Sequence, residues 1–137
     1  SNFKFNKFFR KITKNKDKTL KVLEVKGRKI VLENFYDKIV KFDFEELCNR
    51  NLGSEDYINI TDNSDFIFIE NLPNFNDDNS NQQQRFITLI DILYEKKIPL
   101  MITSSTDLES FSSSKDLSES FKRTISRLYE LTSIKYN

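Results

Sequence analysis

Two uninterrupted apolar runs flank a helical segment in the second half of the chain, and this arrangement constrains the fold most. The first is FIFI with Glu70 at its end, over residues 66–70, and the second is IPLMIT, over residues 98–103. Short apolar runs without alternation are typical of strands buried on both faces. The segment from about 81 to 97 carries apolar residues at helical spacing: Phe86, Ile87, Leu89, Ile90, Leu93 and Tyr94. A strand, a helix and a strand within about 40 residues predict a parallel β-α-β unit with a right-handed crossover.

An amphipathic helix is predicted near the start of the chain, over residues 3–14. Its apolar side is formed by residues at helical spacing, namely Phe5, Phe8, Phe9 and Ile12. Lysine and arginine occupy the other side, which we interpret as a solvated basic face. Together with the polar connector that follows it, this helix accounts for residues 1–18.

Three β-rich runs follow the connector. LKVLEV and RKIVLEN surround Gly27, which permits the positive φ that a tight hairpin turn requires. They predict an antiparallel hairpin, and the alternating run at 38–42 extends the sheet. Asp43 followed by Glu46 matches a capping box, which predicts a short helix through Cys48. We expect the Cys48 thiol to be buried and inert, because the chain has no histidine to activate it.

The remaining segments complete the predicted domain. A second short helix begins at Gly53 and Ser54, residues 72–84 form a polar loop, and the serine-rich segment 103–116 is a flexible loop. Asp116 with Glu119 matches another capping box and opens a terminal helix. The apolar stripe of this helix consists of Phe121, Ile125, Leu128 and Leu131 or Thr132. We therefore predict one α/β domain over 1–137, with an antiparallel hairpin section joined to a parallel β-α-β unit and helices packed on the mixed sheet.

Composition excludes several kinds of site. The chain has no histidine and one cysteine, which excludes Ser-His-Asp and Cys-His catalysis, histidine-ligated metals and an intrachain disulfide. Its two glycines, Gly27 and Gly53, are too few and too far apart for a phosphate-binding or dinucleotide-binding loop. A net charge of +1 gives no overall electrostatic attraction for nucleic acid, and no apolar run is long enough to span a bilayer.

Two polar residues close the predicted parallel strands, where ligands collect in open α/β sheets. Glu70 follows the first apolar run, and Ser104 follows the second. An acidic residue at the first position resembles the metal-binding strand of P-loop ATPases, and a polar residue at the second could orient water or phosphate. The alternative interpretation is structural, with Glu70 as a solvated strand end and Ser104 capping a turn.

Three arginines are further candidates. Arg85 lies in an early turn of its helix, where a cation opposes the helix dipole, so we expect a compensating carboxylate from Asp77 or Asp78. Arg123 and Arg127 are four residues apart and share one face of the terminal helix.

Two interpretations of the terminal arginines remain open. One is surface pairing within the helix, between Glu119 and Arg123 and between Arg127 and Glu130. The other is an arginine finger or sensor that contacts the phosphates of a nucleotide in a neighbouring domain or subunit.

Five segments in order resemble the ZapE/Afg-type ATPases, an AAA-like family of P-loop proteins. They are GR at 27–28, FDFEELC at 42–48, LGSEDY at 52–57, RFITLIDILYE at 85–95 and RTISRLYE at 123–130. The resemblance covers nearly all of the chain and implies the C-terminal region of such an ATPase, with the phosphate loop and the metal-binding strand upstream. ATP and magnesium are then implied for the full-length protein only, and this chain alone is expected to be inactive.

The resemblance also implies interaction partners and a cellular location. The chain would pack on the upstream ATPase domain, where Arg127, Arg123 or Arg85 would support hydrolysis. Bacterial members act in the cytoplasm on cell division through FtsZ, and mitochondrial members act in the matrix on the quality control of respiratory-chain subunits. No nucleic acid and no membrane span are expected.

Two rival hypotheses assign different roles to the same residues. The first is a non-catalytic interaction module, with the first helix and the Asn-rich loop 74–84 as contact surfaces. The second is a small initiator-like AAA fragment in which Glu70, Ser104 and Arg127 stand for the metal-strand, sensor and finger positions. The hairpin has no place in that second plan, which would require it to lie outside the parallel sheet.

Overall fold

A five-stranded mixed sheet in the order β1-β2-β3-β4-β5 forms the centre of the protein in the computed structural model, which describes residues 2–133. The strands are β1 Thr19–Val25, β2 Arg28–Tyr36, β3 Ile39–Asp43, β4 Phe66–Leu72 and β5 Leu100–Ser104. The helices are α1 Asn2–Thr13, α2 Phe44–Cys48, α3 Ser54–Asp62, α4 Ser80–Lys96 and α5 Ser118–Leu131. Two single turns of 3-10 helix lie at Asp77–Asn79 and Leu108–Ser110. None of the helices within residues 2–133 is both long and apolar enough to cross a membrane.

The antiparallel section is built from β1, β2 and β3. The turn between β1 and β2 places Lys26 and Gly27 at φ values of 50° and 77°, and the next turn places Asp37 and Lys38 at 51° and 72°. Left-handed conformations at both central residues match the twist of two-residue hairpins, which explains why each turn is so short. The predicted hairpin and its extension by β3 are confirmed.

The parallel section contains three strands, because β3 pairs with β4 and β4 pairs with β5 in parallel. The β-α-β unit of β4, α4 and β5 is confirmed. The sequence had indicated only a parallel pair, but α2 and α3 together form a connection that also brings β4 parallel to β3. Three carboxyl ends therefore meet at one edge of the sheet.

The two faces of the sheet are covered unequally. Helices α2, α3, α4 and α5 pack on one face, where Ile67 and Ile69 of β4 join the larger core. The alternate residue Phe68 points to the other face and packs against α1 there, through Phe5 and Phe9 at ring-centroid distances of 5.2 and 5.0 Å. Because alternate residues of β4 face two different helical layers, both sets are apolar, and the sequence of the strand is an uninterrupted apolar run.

Two helix starts can be compared with their predicted caps. For α2, the backbone N–H of Glu45 donates to Asp43 and the Asp43 N–H donates to Glu46, so the predicted capping box is confirmed. For α5, the prediction at Asp116 is wrong. The first helical hydrogen bond joins the Phe121 N–H to the Leu117 carbonyl, so Leu117 rather than Asp116 is the N-cap and the helix begins one residue later, at Ser118.

The predicted loop 72–84 is also shorter than expected, because α4 begins at Ser80. The side chain of Asn79 accepts a hydrogen bond from the Asn76 N–H and donates one to the Asn74 carbonyl. These bonds fold the segment before α4 into a single turn that leads directly into the helix. The serine-rich segment 103–116 is hydrogen-bonded to the segment before α4, since the Ser112 hydroxyl donates to the Phe75 carbonyl at 2.6 Å. Its flexibility stays a prediction.

Candidate functional site

Arg123 and Arg127 of α5 share one carboxylate, that of Asp91 on α4. Arg127 Nη1 donates to Asp91 Oδ1, and Arg123 Nη2 lies 3.8 Å from Asp91 Oδ2. The guanidinium of Arg127 also lies over the Tyr94 ring, with Cζ 4.6 Å from its centroid. Two guanidinium groups of α5 therefore converge on one carboxylate of α4.

The predicted pairs within α5 are not formed. Glu119 pairs with Lys122 at 3.0 Å rather than with Arg123, and Arg127 turns to Asp91 rather than to Glu130. The reason is the packing of α4 against α5, which brings a carboxylate closer to both arginines than their own helix does. Pairs between neighbouring helices cannot be read from spacing within one helix.

The two arginines of α5 differ in exposure and in how closely they are held. The Arg127 side chain is 22% exposed and is fixed between Asp91 and Tyr94, whereas the Arg123 side chain is 60% exposed and is held only at 3.8 Å. Arg123 is therefore the more accessible of the two guanidinium groups, and Arg127 is the more firmly held.

Arg85 lies elsewhere, on the side of α4 that faces α2. Its Nη1 donates to the Cys48 carbonyl at 3.0 Å, at the C-terminal end of α2, where a cation is favourable. The expected compensation by Asp77 or Asp78 is not found, because the Asp77 carboxylate accepts the Lys115 N–H at 2.9 Å. Arg85 is thus an internal link between two helices.

Glu70 stands at the carboxyl end of β4 beside Lys41 of β3. The Lys41 ammonium lies 3.8 Å from the Glu70 carboxylate and 4.5 Å from the centroid of the Phe9 ring. Both charged side chains are partly buried, at 23% and 34% exposure. Glu70 therefore has a cationic partner from the neighbouring parallel strand.

Ser104 ends β5 and caps a turn, since its hydroxyl donates to the Thr106 carbonyl at 2.6 Å. The neighbouring Thr103 hydroxyl accepts the Asn71 N–H at 2.9 Å, and Asn71 in turn donates to the Asp43 carboxylate at 2.6 Å. A cleft of about 310 Å³ opens beside these residues, between them and Asn2 at the start of α1. The structure brings Glu70 and Ser104 to the same edge, as predicted, but Arg123 and Arg127 lie on the helical layer.

The two glycines are not placed where they could form a loop that binds a triphosphate with magnesium. Gly27 lies in the β1–β2 turn and Gly53 precedes α3, so neither lies in a loop that leads directly from a parallel strand into a helix. Among residues 2–133, no group of three or more histidine, cysteine, aspartate or glutamate side chains is placed to hold a metal ion. Neither Gly27 nor Gly53 is therefore placed as in a phosphate-binding loop.

Residues of different sequence motifs also form hydrogen bonds with one another. Arg28 of the first motif donates to Asp56 of the third at 2.5 Å, and the hydroxyl of Tyr57 donates to the Leu47 carbonyl of the second motif at 2.6 Å. Asp91 and Tyr94 belong to the fourth motif and hold an arginine of the fifth. The sequence analysis did not predict these pairs. The signal that could have indicated them is that some motifs contain an arginine and others an aspartate.

Cys48 is buried as predicted, at 1% exposure. Burial raises the pKa of its thiol to about 12, against smaller opposing effects of Tyr57 and Arg85. The thiol is therefore protonated at neutral pH and is not a nucleophile.

Comparison with known proteins gives one consistent result. The chain is 34% identical over 89 residues to lactation elevated protein 1 homolog B of Danio rerio, which is 65% of this chain and 18% of that protein. It is 25% identical over 114 residues to cell division protein ZapE of Escherichia coli K12, which is 83% of this chain and 30% of that protein. The chain thus spans less than a third of the length of these relatives. No solved structure matches it. The family model of the AFG1-like ATPases matches residues 1–137, and the chain belongs to this family.

Proposed function

We propose that this chain is the C-terminal domain of a ZapE-like ATPase and supports ATP hydrolysis by an ATPase core in the same protein. The observation that carries the proposal is the arginine pair on α5, in which Arg127 is fixed by Asp91 and Arg123 is 60% exposed. ATP and magnesium belong to the core in this proposal, because the described residues do not fit them.

The chemistry required of this domain is electrostatic. A planar guanidinium stabilises the negative charge that develops on phosphoryl oxygens during transfer, and it does so without moving a proton. Arg123 has the exposure to make this contact. Asp91 and Tyr94 hold Arg127 and so limit the motion of the helix that carries both arginines.

The test uses the full-length protein with Arg123→Ala. Lys122→Ala is the matched control, because Lys122 is the neighbouring cation on α5 and is 74% exposed. We expect Arg123→Ala to lower the rate of ATP hydrolysis at least tenfold, while Lys122→Ala stays within about twofold of wild type. Equal rates for wild type and Arg123→Ala would contradict the proposal.

A second candidate function is a non-catalytic interaction module, and α1 favours it. Phe3 is 68% exposed on this helix and lies beside a basic face, with the Lys7 ammonium 6.0 Å from its ring centroid. The partner would be a component of cell division such as FtsZ in a bacterial cytoplasm, or a quality-control partner in a mitochondrial matrix. The proposed contact loop 74–84 is less suited, because residues from Ser80 onward belong to α4 and the Asn74 and Asn79 side chains are bonded internally. Capture of the partner by this chain alone would support the module, and capture only by the full-length protein would contradict it.

The initiator-like hypothesis required the hairpin to lie outside the parallel sheet, and this condition is not met. The hairpin of β1 and β2 continues the same sheet as the parallel strands, through the pairing of β2 with β3. We therefore do not propose that Glu70, Ser104 and Arg127 form a complete nucleotide site within this chain.

A further inference from the structure

A polar side chain stands among the buried residues of α4. Gln83 has no exposed surface, and it begins the buried stripe of this helix. The other buried residues of α4 are all apolar: Phe86, Ile87, Leu89, Ile90 and Leu93. A buried amide is costly unless its hydrogen bonds are made, so the partners of Gln83 indicate what this residue does.

Gln83 binds the segment that leads from β5 to α5. Its Nε2 donates to the Ser113 hydroxyl at 2.7 Å, and its Oε1 accepts the Ser114 N–H at 3.1 Å. The Ser113 hydroxyl in turn donates to the Ser114 carbonyl at 2.8 Å. One buried amide therefore fixes both backbone polar groups of Ser114, the N–H directly and the carbonyl through a neighbouring hydroxyl.

Residues 112–115, which we name the strap, are held along their whole length by side chains from the β4–α4 region. The Ser112 N–H donates to Asn74 Oδ1 at 2.8 Å, and the Lys115 N–H donates to Asp77 Oδ1 at 2.9 Å. With the bond to the glutamine amide, three backbone N–H groups of the strap are accepted by side chains. Buried or half-buried N–H groups need such partners, so these side chains determine the path of the strap.

Helix α5 follows the strap directly and is held at two places. The strap ends just before Ser118, the first residue of α5, and further along the helix Arg127 donates to Asp91 of α4. Arg123 lies between these two places, about 7.5 Å along the helix axis from the first residue. The position of the Arg123 guanidinium therefore depends on the strap as well as on the contact with Asp91.

We propose that Gln83 is a positioning residue for Arg123: it fixes the strap, and through the strap the start of α5, so that the exposed guanidinium meets the nucleotide phosphates of the ATPase core in one orientation. The inference rests on the proposed function and adds to it a residue that contacts neither Arg123 nor the nucleotide. A displacement of about 1 Å in a group that acts on the transition state costs about a hundredfold in rate, so the precision of the strap matters for hydrolysis.

The first experiment measures ATP hydrolysis by the full-length protein with Gln83→Met, which keeps the length of the side chain and removes both hydrogen bonds. The matched control is Ser114→Ala, because within residues 2–133 the buried Ser114 hydroxyl has no hydrogen-bond partner. We expect Gln83→Met to lower kcat at least about fivefold with KM for ATP within about twofold, since the arginine acts in the transition state. Ser114→Ala should keep kcat within about twofold of wild type.

A second control separates positioning from a general loss of stability. Asp56→Asn also weakens a buried hydrogen bond, but in the link between β2 and α3. It should keep kcat within about twofold of wild type, although it destabilises the fold. If Gln83→Met does not fold, Ser113→Ala takes its place, because it removes only the acceptor of Gln83 Nε2, and kcat should fall at least about threefold.

The second experiment measures the position of α5 in the 137-residue chain without nucleotide. Spin labels are attached at Lys122→Cys on α5 and at Lys21→Cys on β1, at the far edge of the sheet, while the buried Cys48 thiol stays unlabelled. Double electron–electron resonance gives the distribution of distances between the labels. Gln83→Met should make this distribution at least about 1.5 times as wide, and Ser114→Ala should leave it as in wild type.

Three results would overturn the positioning role. They are a wild-type kcat in Gln83→Met, an unchanged distance distribution in that variant, and a loss of kcat in Asp56→Asn as large as that in Gln83→Met. The outcome for the proposed function is read separately. If Arg123→Ala slows hydrolysis and Gln83→Met does not, only the positioning role fails, whereas a wild-type rate in Arg123→Ala overturns the proposed function itself.

Discussion

Arg28 at the start of β2 donates to the carboxylate of Asp56 on α3 at 2.5 Å, which ties the hairpin to the helical layer. The Asp56 side chain is 2% exposed and also accepts the Gly53 N–H at 2.8 Å, at the first turn of α3. Burial alone would raise the pKa of Asp56, but the bonds from Arg28 and Gly53 outweigh it and hold the pKa below 3.8. One carboxylate thus joins two motifs and caps a helix.

The first prediction concerns the pH dependence of this link. Because the folded pKa of Asp56 lies below its unfolded value, its ionised form stabilises the protein at neutral pH, and this stabilisation is lost as the pH falls through 3.8 and below. Asp56→Asn should lower the free energy of unfolding by about 1–3 kcal/mol at about pH 7. Urea denaturation should show the difference from wild type shrinking toward about pH 3. A difference that stays constant over this range would contradict the assigned role.

The second prediction separates the two arginines of α5 by stability. Arg127→Ala removes the contacts with Asp91 and Tyr94 and should lower the free energy of unfolding by about 1–2 kcal/mol. Arg123→Ala should cost less than about 0.5 kcal/mol, because its ion pair is long and exposed. Lys122→Ala serves as the control in the same chemical denaturation series. An equal loss for both arginines would show that Arg123 is as firmly held as Arg127.

The third prediction concerns the Cys48 thiol. Its pKa is raised to about 12, chiefly by burial, so the thiolate is scarce until the pH approaches that value. At about pH 8 the native chain should react with a disulfide reagent at least a hundredfold more slowly than the chain in denaturant. Absorbance of the released thiol measures both rates. A native rate within tenfold of the unfolded rate would mean that Cys48 is accessible.

Local sequence patterns correctly predicted the strands and helices in which the buried residues follow a regular spacing. The apolar run at β4 and the helical spacing of α4 each require a specific environment, and both were recognisable from spacing alone. The parallel pairing of β3 with β4 was missed, because β3 has the alternating pattern of an antiparallel strand and its parallel neighbour is set by the path of α2 and α3.

Side-chain partners were harder to predict than elements. The pairing of Arg123 and Arg127 with Asp91 depends on how α4 and α5 cross, and spacing within α5 contains no such information. Asp116 failed as a cap for a similar reason, since the turn before α5 decides which residue starts the helix. Residues 134–137, which follow the terminal helix, lie outside the described residues.

The most direct test of the proposed function is isothermal titration of Mg-ATP into the 137-residue chain and into the full-length protein. Two glycines placed in a hairpin turn and before α3 provide no cradle for a triphosphate, so the chain alone should show no heat of binding at millimolar nucleotide, whereas the full-length protein should bind. Tight, magnesium-dependent binding by the chain alone would contradict the account.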